Sequence, residues 1–102
     1  MTLTYRILGD TGLITVAGRF TFECHQAFKD AADPLLASPE VKAIHLDLSG
    51  VESMNASSLG MLLVLREKAV QKGKTVLLKD PAPCAVAILE AVQFTQLFLI
   101  AK

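Results

Sequence analysis

Ala43-Ile44-His45-Leu46-Asp47-Leu48, closed by Ser49-Gly50, and then Met54-Asn55-Ala56-Ser57-Ser58-Leu59-Gly60 form the stretch on which the fold turns. The first six residues are a short, mostly apolar run, the pattern of a buried strand. From Leu59 apolar residues crowd in, with no Pro and no Gly beyond Gly60 until Gly73, which predicts a long helix. Met54–Ser58 sets side-chain hydroxyls and orphan backbone N–H groups at the mouth of that helix. Open α/β sheets collect ligands and chemistry where a helix starts at the carboxyl end of a strand. Met54–Gly60 is therefore the first candidate for function.

The chain around it is 102 residues, enough for one domain (1–102) with a real core and too little for two. An apolar fraction of 52% against 20% charged residues fits a globular fold and argues against disorder. Ten acidic and ten basic residues cancel, whereas nucleic acid and anionic membrane surfaces call for clustered positive charge. A near-neutral surface suits protein partners. Met1–Gly12 has no basic segment leading into an apolar one, and no apolar run reaches the ~18 residues of a membrane span. The expectation is a cytoplasmic protein with no direct membrane insertion. Cys24 and Cys84 belong to no CxxC pair and read as reduced, buried thiols.

On the N-terminal side, Leu3–Leu8 and Leu13–Ala17 read as a hairpin around Gly9-Asp10-Thr11-Gly12, with Gly18 stopping the second strand. Thr21 is a candidate N-cap for a helix over Phe22–Leu36, whose apolar stripe includes Phe22, Phe28, Ala32, Leu35 and Leu36. Pro34 predicts a kink, or an end and restart, near Asp33. On the C-terminal side, Gly73 caps the long helix, Thr75–Lys79 reads as a strand, Cys84–Val92 as a short helix and Thr95–Ile100 as a last strand. The order β-β-α-β-α-β-α-β implies an α/β domain, a mixed sheet of about five strands with helices packed on it.

That order, with one motif, resembles the STAS domain of bacterial anti-sigma factor antagonists. The motif is Asp47-Leu48-Ser49-Gly50-Val51 followed by Asn55-Ala56-Ser57-Ser58-Leu59-Gly60, where the family commonly has Asp-Ser-Ser-Gly-Leu-Gly. The resemblance covers essentially the whole chain. Gly18-Arg19-Phe20-Thr21-Phe22 and His25-Gln26-Ala27-Phe28 look like the gammaproteobacterial members that work beside a response regulator. The resemblance implies a phosphoacceptor at Ser57. Ser58 stands where the family has Gly and is an alternative acceptor. Asn55 replaces Asp; it caps a helix about as well but removes a negative charge beside the hydroxyl.

The resemblance further implies a regulatory binding module, not an enzyme, whose partner is an anti-sigma factor or a serine kinase or phosphatase. The alternative is a STAS subunit of a lipid-export-type transporter, in which the serine is a contact residue and is never phosphorylated. Asn55 and Asp47 are expected to support the site. Leu59, Leu62, Leu63 and Val70 fall at core spacing, and Ser58, Met61, Leu65 and Lys68 fall on another face. Ser58, Met61 and Leu65 there are candidate partner contacts. Whether Met61 and Leu65 are exposed or packed under a neighbouring helix stays open from the sequence. His25 and His45 share no metal-ligand spacing, Glu52 and Glu67 have no paired acid, and no GxSxG, Walker A or GxGxxG occurs. Neither metal nor cofactor is expected.

Overall fold

The computed structural model describes residues 2–91 and 98–101. Strand β1 (Thr2–Leu8) turns through Gly9-Asp10 into β2 (Thr11–Phe20), the two pairing antiparallel from Leu8↔Thr11 to Thr2↔Ala17. Gly9 takes φ 66°, the left-handed conformation that a two-residue hairpin turn needs. After a 3₁₀ turn (Phe22–Cys24) come α1 (His25–Ala37), β3 (Ala43–Met54), α2 (Ala56–Gln71), β4 (Thr75–Lys79), α3 (Pro83–Ala91) and β5 (Leu99–Ala101). The sheet runs β1-β2-β3-β4-β5, parallel throughout except at the hairpin. The expected order of elements and the five-stranded mixed sheet are both present. Val92 and Thr95–97, expected at the end of the last helix and the start of the last strand, lie outside the described residues.

Every crossover steps the sheet in the same direction. Right-handed connections then put the helices on one face. The burial pattern agrees. Ile14, Leu46 and Leu78 sit side by side across three strands and are fully buried, whereas their neighbours Leu13, His45 and Leu77 form a half-buried row on the other face. Gly12 leaves room for α1: a Cβ there would stand 2.8 Å from a methyl of Leu35, which is itself fully buried.

Two strands run further than the sequence indicates. β2 continues past Gly18 (φ 92°) to Phe20, and β3 past Ser49-Gly50 to Met54, with shifts of register between them at Thr15/Ala17 and Gly18/Arg19. Bulges of this kind absorb the extra residues, so pairing resumes and ends at Phe20↔Met54. The extension matters because it sets the start of α2 beside the end of β2.

One further expectation is corrected and another is narrowed. Thr21 makes no side-chain cap; its carbonyl instead accepts from the Cys24 N–H at 3.0 Å and thiol at 2.8 Å, and the 3₁₀ turn swings Phe22 off the buried stripe. Of the two alternatives at Pro34, the end and restart does not occur: α1 runs through it to Ala37. Pro34 is exposed, so water can reach the carbonyl one turn back that has lost its donor. Lys74 is buried, and its ammonium donates to the carbonyls of Ser38 and Val41 at 2.7 Å each, tying the two loops that precede β3 and β4. Cys24 and Cys84 are both free thiols, the first buried and the second half-buried. No described helix is long and apolar enough to cross a membrane.

Candidate functional site

The site is built around Asn55. Its extended backbone (φ −141°, ψ −172°) ends β3, and its side-chain carbonyl accepts from the N–H groups of Ser57 at 3.0 Å and Ser58 at 3.2 Å. The Ser58 hydroxyl reaches back to accept from the Asn55 N–H at 3.0 Å. This is a reciprocal capping box with serine in the place usually held by Glu or Gln. The Ser58 hydroxyl also donates to the Phe20 carbonyl, so the last residue of β2 is tied to the first turn of α2.

That arrangement separates the two serines. Ser58 is fully buried and its hydroxyl is committed on both sides, which takes away its expected roles as alternative acceptor and as partner contact. Ser57 is exposed, and its hydroxyl has no partner among the described residues. It sits in the first turn of α2, where the helix dipole favours negative charge. Asn55 caps the helix as expected. Asp47 gives that helix mouth no such support: its carboxylate accepts from the Ser49 N–H at 3.0 Å and hydroxyl at 2.7 Å, and no hydrogen bond links it to Met54–Gly60. It is a turn residue satisfying local groups.

Beside Ser57 the surface sinks into a groove of about 490 Å³ between α1 and α2. Phe28 and Leu36 from α1 meet Met61 and Leu65 from α2 along its floor. Of the two readings that the sequence left open for Met61 and Leu65, the packed one holds: they are only 7% and 2% exposed. The apolar residues that do reach solvent are Phe22 and Val64, each 53% exposed, at the lips. Val70, expected in the core, is exposed as well. The sequence pattern put Phe22 in the apolar stripe of the first helix, but a 3₁₀ turn at that point breaks the 3.6-residue period and leaves it at the surface; its ring stacks on His25 at 4.9 Å. The rim charges are Lys29, paired with Asp33 at 2.7 Å, and Lys68, which has no acidic partner among the described residues. The Asp33 hydrogen bond and charge raise the Lys29 pKa. On the other side of Phe22 a more polar hollow brings Arg19, Glu23 and Glu52 near Asn55. No cluster of three or more His, Cys, Asp or Glu suited to a metal ion occurs among the described residues.

A parallel sheet fed by a leading hairpin, helices on one face and a capped helix mouth at the end of the third strand together define a STAS domain. The chain belongs to that family: the family model described as "Mlab, STAS domain" matches residues 3–100. It is similar to a STAS-domain containing protein of Pseudomonas aeruginosa, 36% identical over 87 residues that cover 85% of this chain and 84% of the relative. Among solved structures it is similar to a putative anti-sigma factor antagonist from Thermotoga maritima, with a TM-score of 0.86 at 22% identity over 98% of this chain and 86% of the other. It is also similar to the phosphorylated form of the Bacillus cell fate determinant SpoIIAA, with a TM-score of 0.76 at 13% identity over 99% and 92%. At these identities the two structures show the shared fold.

Proposed function

We propose that this protein is an anti-sigma factor antagonist of the cytoplasm, a binding module switched by phosphorylation at Ser57. Unphosphorylated, it holds an anti-sigma factor or serine kinase linked to a response regulator; phosphorylated, it lets that partner go. The observation that carries the reading is the contrast between the serines, Ser57 exposed and uncommitted on the groove's edge, Ser58 buried and bonded. Support also comes from SpoIIAA, a protein of the same fold solved in a phosphorylated form.

A phosphoryl group on Ser57 brings a charge of about −1.5 to −2 to a helix N-terminus, where the dipole favours it and the cap already holds the first turn. The modification therefore leaves the helix folded, and its effect falls on the partner. A surface complementary to a neutral serine meets a strongly hydrated dianion, whose desolvation weakens the complex. Mass spectrometry of the protein from its native cell should find a phosphopeptide modified at Ser57 and not at Ser58. A Ser57→Asp copy should lose partners that Ser57→Ala retains. If no phosphopeptide appears and Ser57→Asp binds every partner normally, the switch is excluded, and the transporter-subunit reading with Ser57 as a plain contact takes its place.

A further inference from the structure

Gly60 is the residue that this fold leaves unexplained. It lies in the interior of α2, where glycine is the poorest helix former after proline. No close packing demands it: a Cβ built there meets nothing within 4 Å. Its φ is not in the left-handed range. Gly60 lies one turn after Ser57 and one turn before Val64, and all three border the α1–α2 groove. The outer edge of α2 thus presents two small residues, then an exposed valine, then the free ammonium of Lys68. Small residues on a helix face allow another backbone to approach closely.

From this we infer that the α1–α2 groove receives an amphipathic helix of the partner, backbone over Gly60, apolar side chains on the Met61/Leu65 floor and an acidic side chain on Lys68. The inference rests on the binding-module reading above and gives that module its partner's shape. Length and charge both fit. Ser57 to Lys68 spans about 16 Å of α2, room for about three turns of a docked helix with apolar residues at i, i+4 and i+7. Lys29 is neutralised by Asp33, which leaves Lys68 as the uncompensated charge on the rim. An acid on the incoming helix completes it. Ser57 stands at the opposite end of the same track, so a phosphoryl group there would meet the docked helix directly.

The test is a titration of the whole ¹⁵N-labelled protein with synthetic helical peptides of about 14 residues, followed by amide NMR. One peptide carries leucines at i, i+4 and i+7 and a glutamate at the Lys68 end. A second has lysine in place of that glutamate, a third has the same composition with the apolar period destroyed, and laurate serves as a small amphiphile. The expected result is that the glutamate peptide shifts the amides of Gly60, Val64 and Lys68 and binds at least about tenfold more tightly than the other probes. Lys68→Glu should invert the preference between the glutamate and lysine peptides. Gly60→Leu should abolish binding while raising the thermal midpoint, since leucine is the better helix former and its Cβ has free space. Equal binding of the period-destroyed peptide, shifts outside the groove, binding of laurate alone, or no binding of any probe overturns the inference. If the glutamate peptide docks as described but Ser57→Asp leaves its affinity unchanged, the groove assignment stands and the switch falls. If a Ser57 phosphopeptide is found in cells but no helical peptide docks, the reverse holds.

Discussion

At the scale of single residues, the mouth of α2 rests on one amide side chain. Asn55 satisfies two N–H groups that the helix cannot, so Asn55→Ala should cost about 0.5–2 kcal/mol in a urea titration. Asn55→Asp should be neutral or slightly stabilising, because a carboxylate caps equally well and suits the dipole. Ser58→Ala strips partners from the Asn55 N–H and the Phe20 carbonyl in a buried setting, and should cost about 1–3 kcal/mol without removing the candidate acceptor at Ser57. The cap was legible from residue type alone. Ser58's burial was not, since it depends on β2 running on to Phe20, a contact 38 residues away in sequence. The thiols give a prediction in pH. Burial pushes the Cys24 pKa above its ordinary value near 9.0, against smaller lowerings by backbone hydrogen bonding at Thr21 and Cys24. A folded thiol that holds its proton longer than the unfolded one stabilises the fold fully below that ordinary value, and the contribution is lost as pH rises through the folded pKa. Stability should therefore decline on the alkaline side of pH 9 in the native protein and less so in Cys24→Ala. At neutral pH a thiol reagent should modify half-buried Cys84 first and Cys24 only on unfolding.

At the scale of elements, the two central helices show what a periodic pattern can and cannot say. α2 buries Leu59 and Leu62 as their spacing suggests, but also Met61 and Leu65, because α1 and the 3₁₀ turn cover a second side of it. A helix held between a sheet and another helix has no single apolar stripe, so its sequence does not distinguish buried Leu65 from exposed Val64. In α1 the local signal was strong and was overridden. Pro34 sits inside a helix whose Leu35 and Leu36 are both buried, and that burial outweighs the lost hydrogen bond. The cost is still there to be recovered. Pro34→Ala should return a donor to the Asp30 carbonyl and raise stability by about 1–3 kcal/mol, less than the full proline penalty because the unfolded chain gains freedom. Thermal unfolding checks it; an unchanged or lower midpoint would show that the proline fits α1 without cost. Gly12 tests the same helix from below. Gly12→Val would force buried Leu35 aside and should cost about 1–3 kcal/mol, whereas the same change at open Gly60 should not destabilise.

At the scale of the whole molecule, the topology was legible because alternating strands and helices leave few ways to wind a sheet. What the order of elements leaves open is the sheet's outer boundary. β1 is an edge strand, and Tyr5, Ile7 and Leu8 on it are each about half exposed, from 47% to 52%. Such an edge offers unpaired backbone groups and apolar side chains to any second strand. The formal net charge is zero at pH 7, so no long-range repulsion holds copies apart. Concentration-dependent self-association through β1 should follow, strongest near neutral pH and weaker as the pH moves to either side. A charge on the edge blocks it: Ile7→Lys should reduce the weight-average mass seen by light scattering at high concentration, with the circular dichroism of the fold kept. Val70→Lys, an equally exposed apolar site at the end of α2, is the control for added charge alone. If both variants reduce association equally, net charge accounts for it; if only Ile7→Lys does, the edge strand is the contact, and the α1–α2 groove stays free for a different partner.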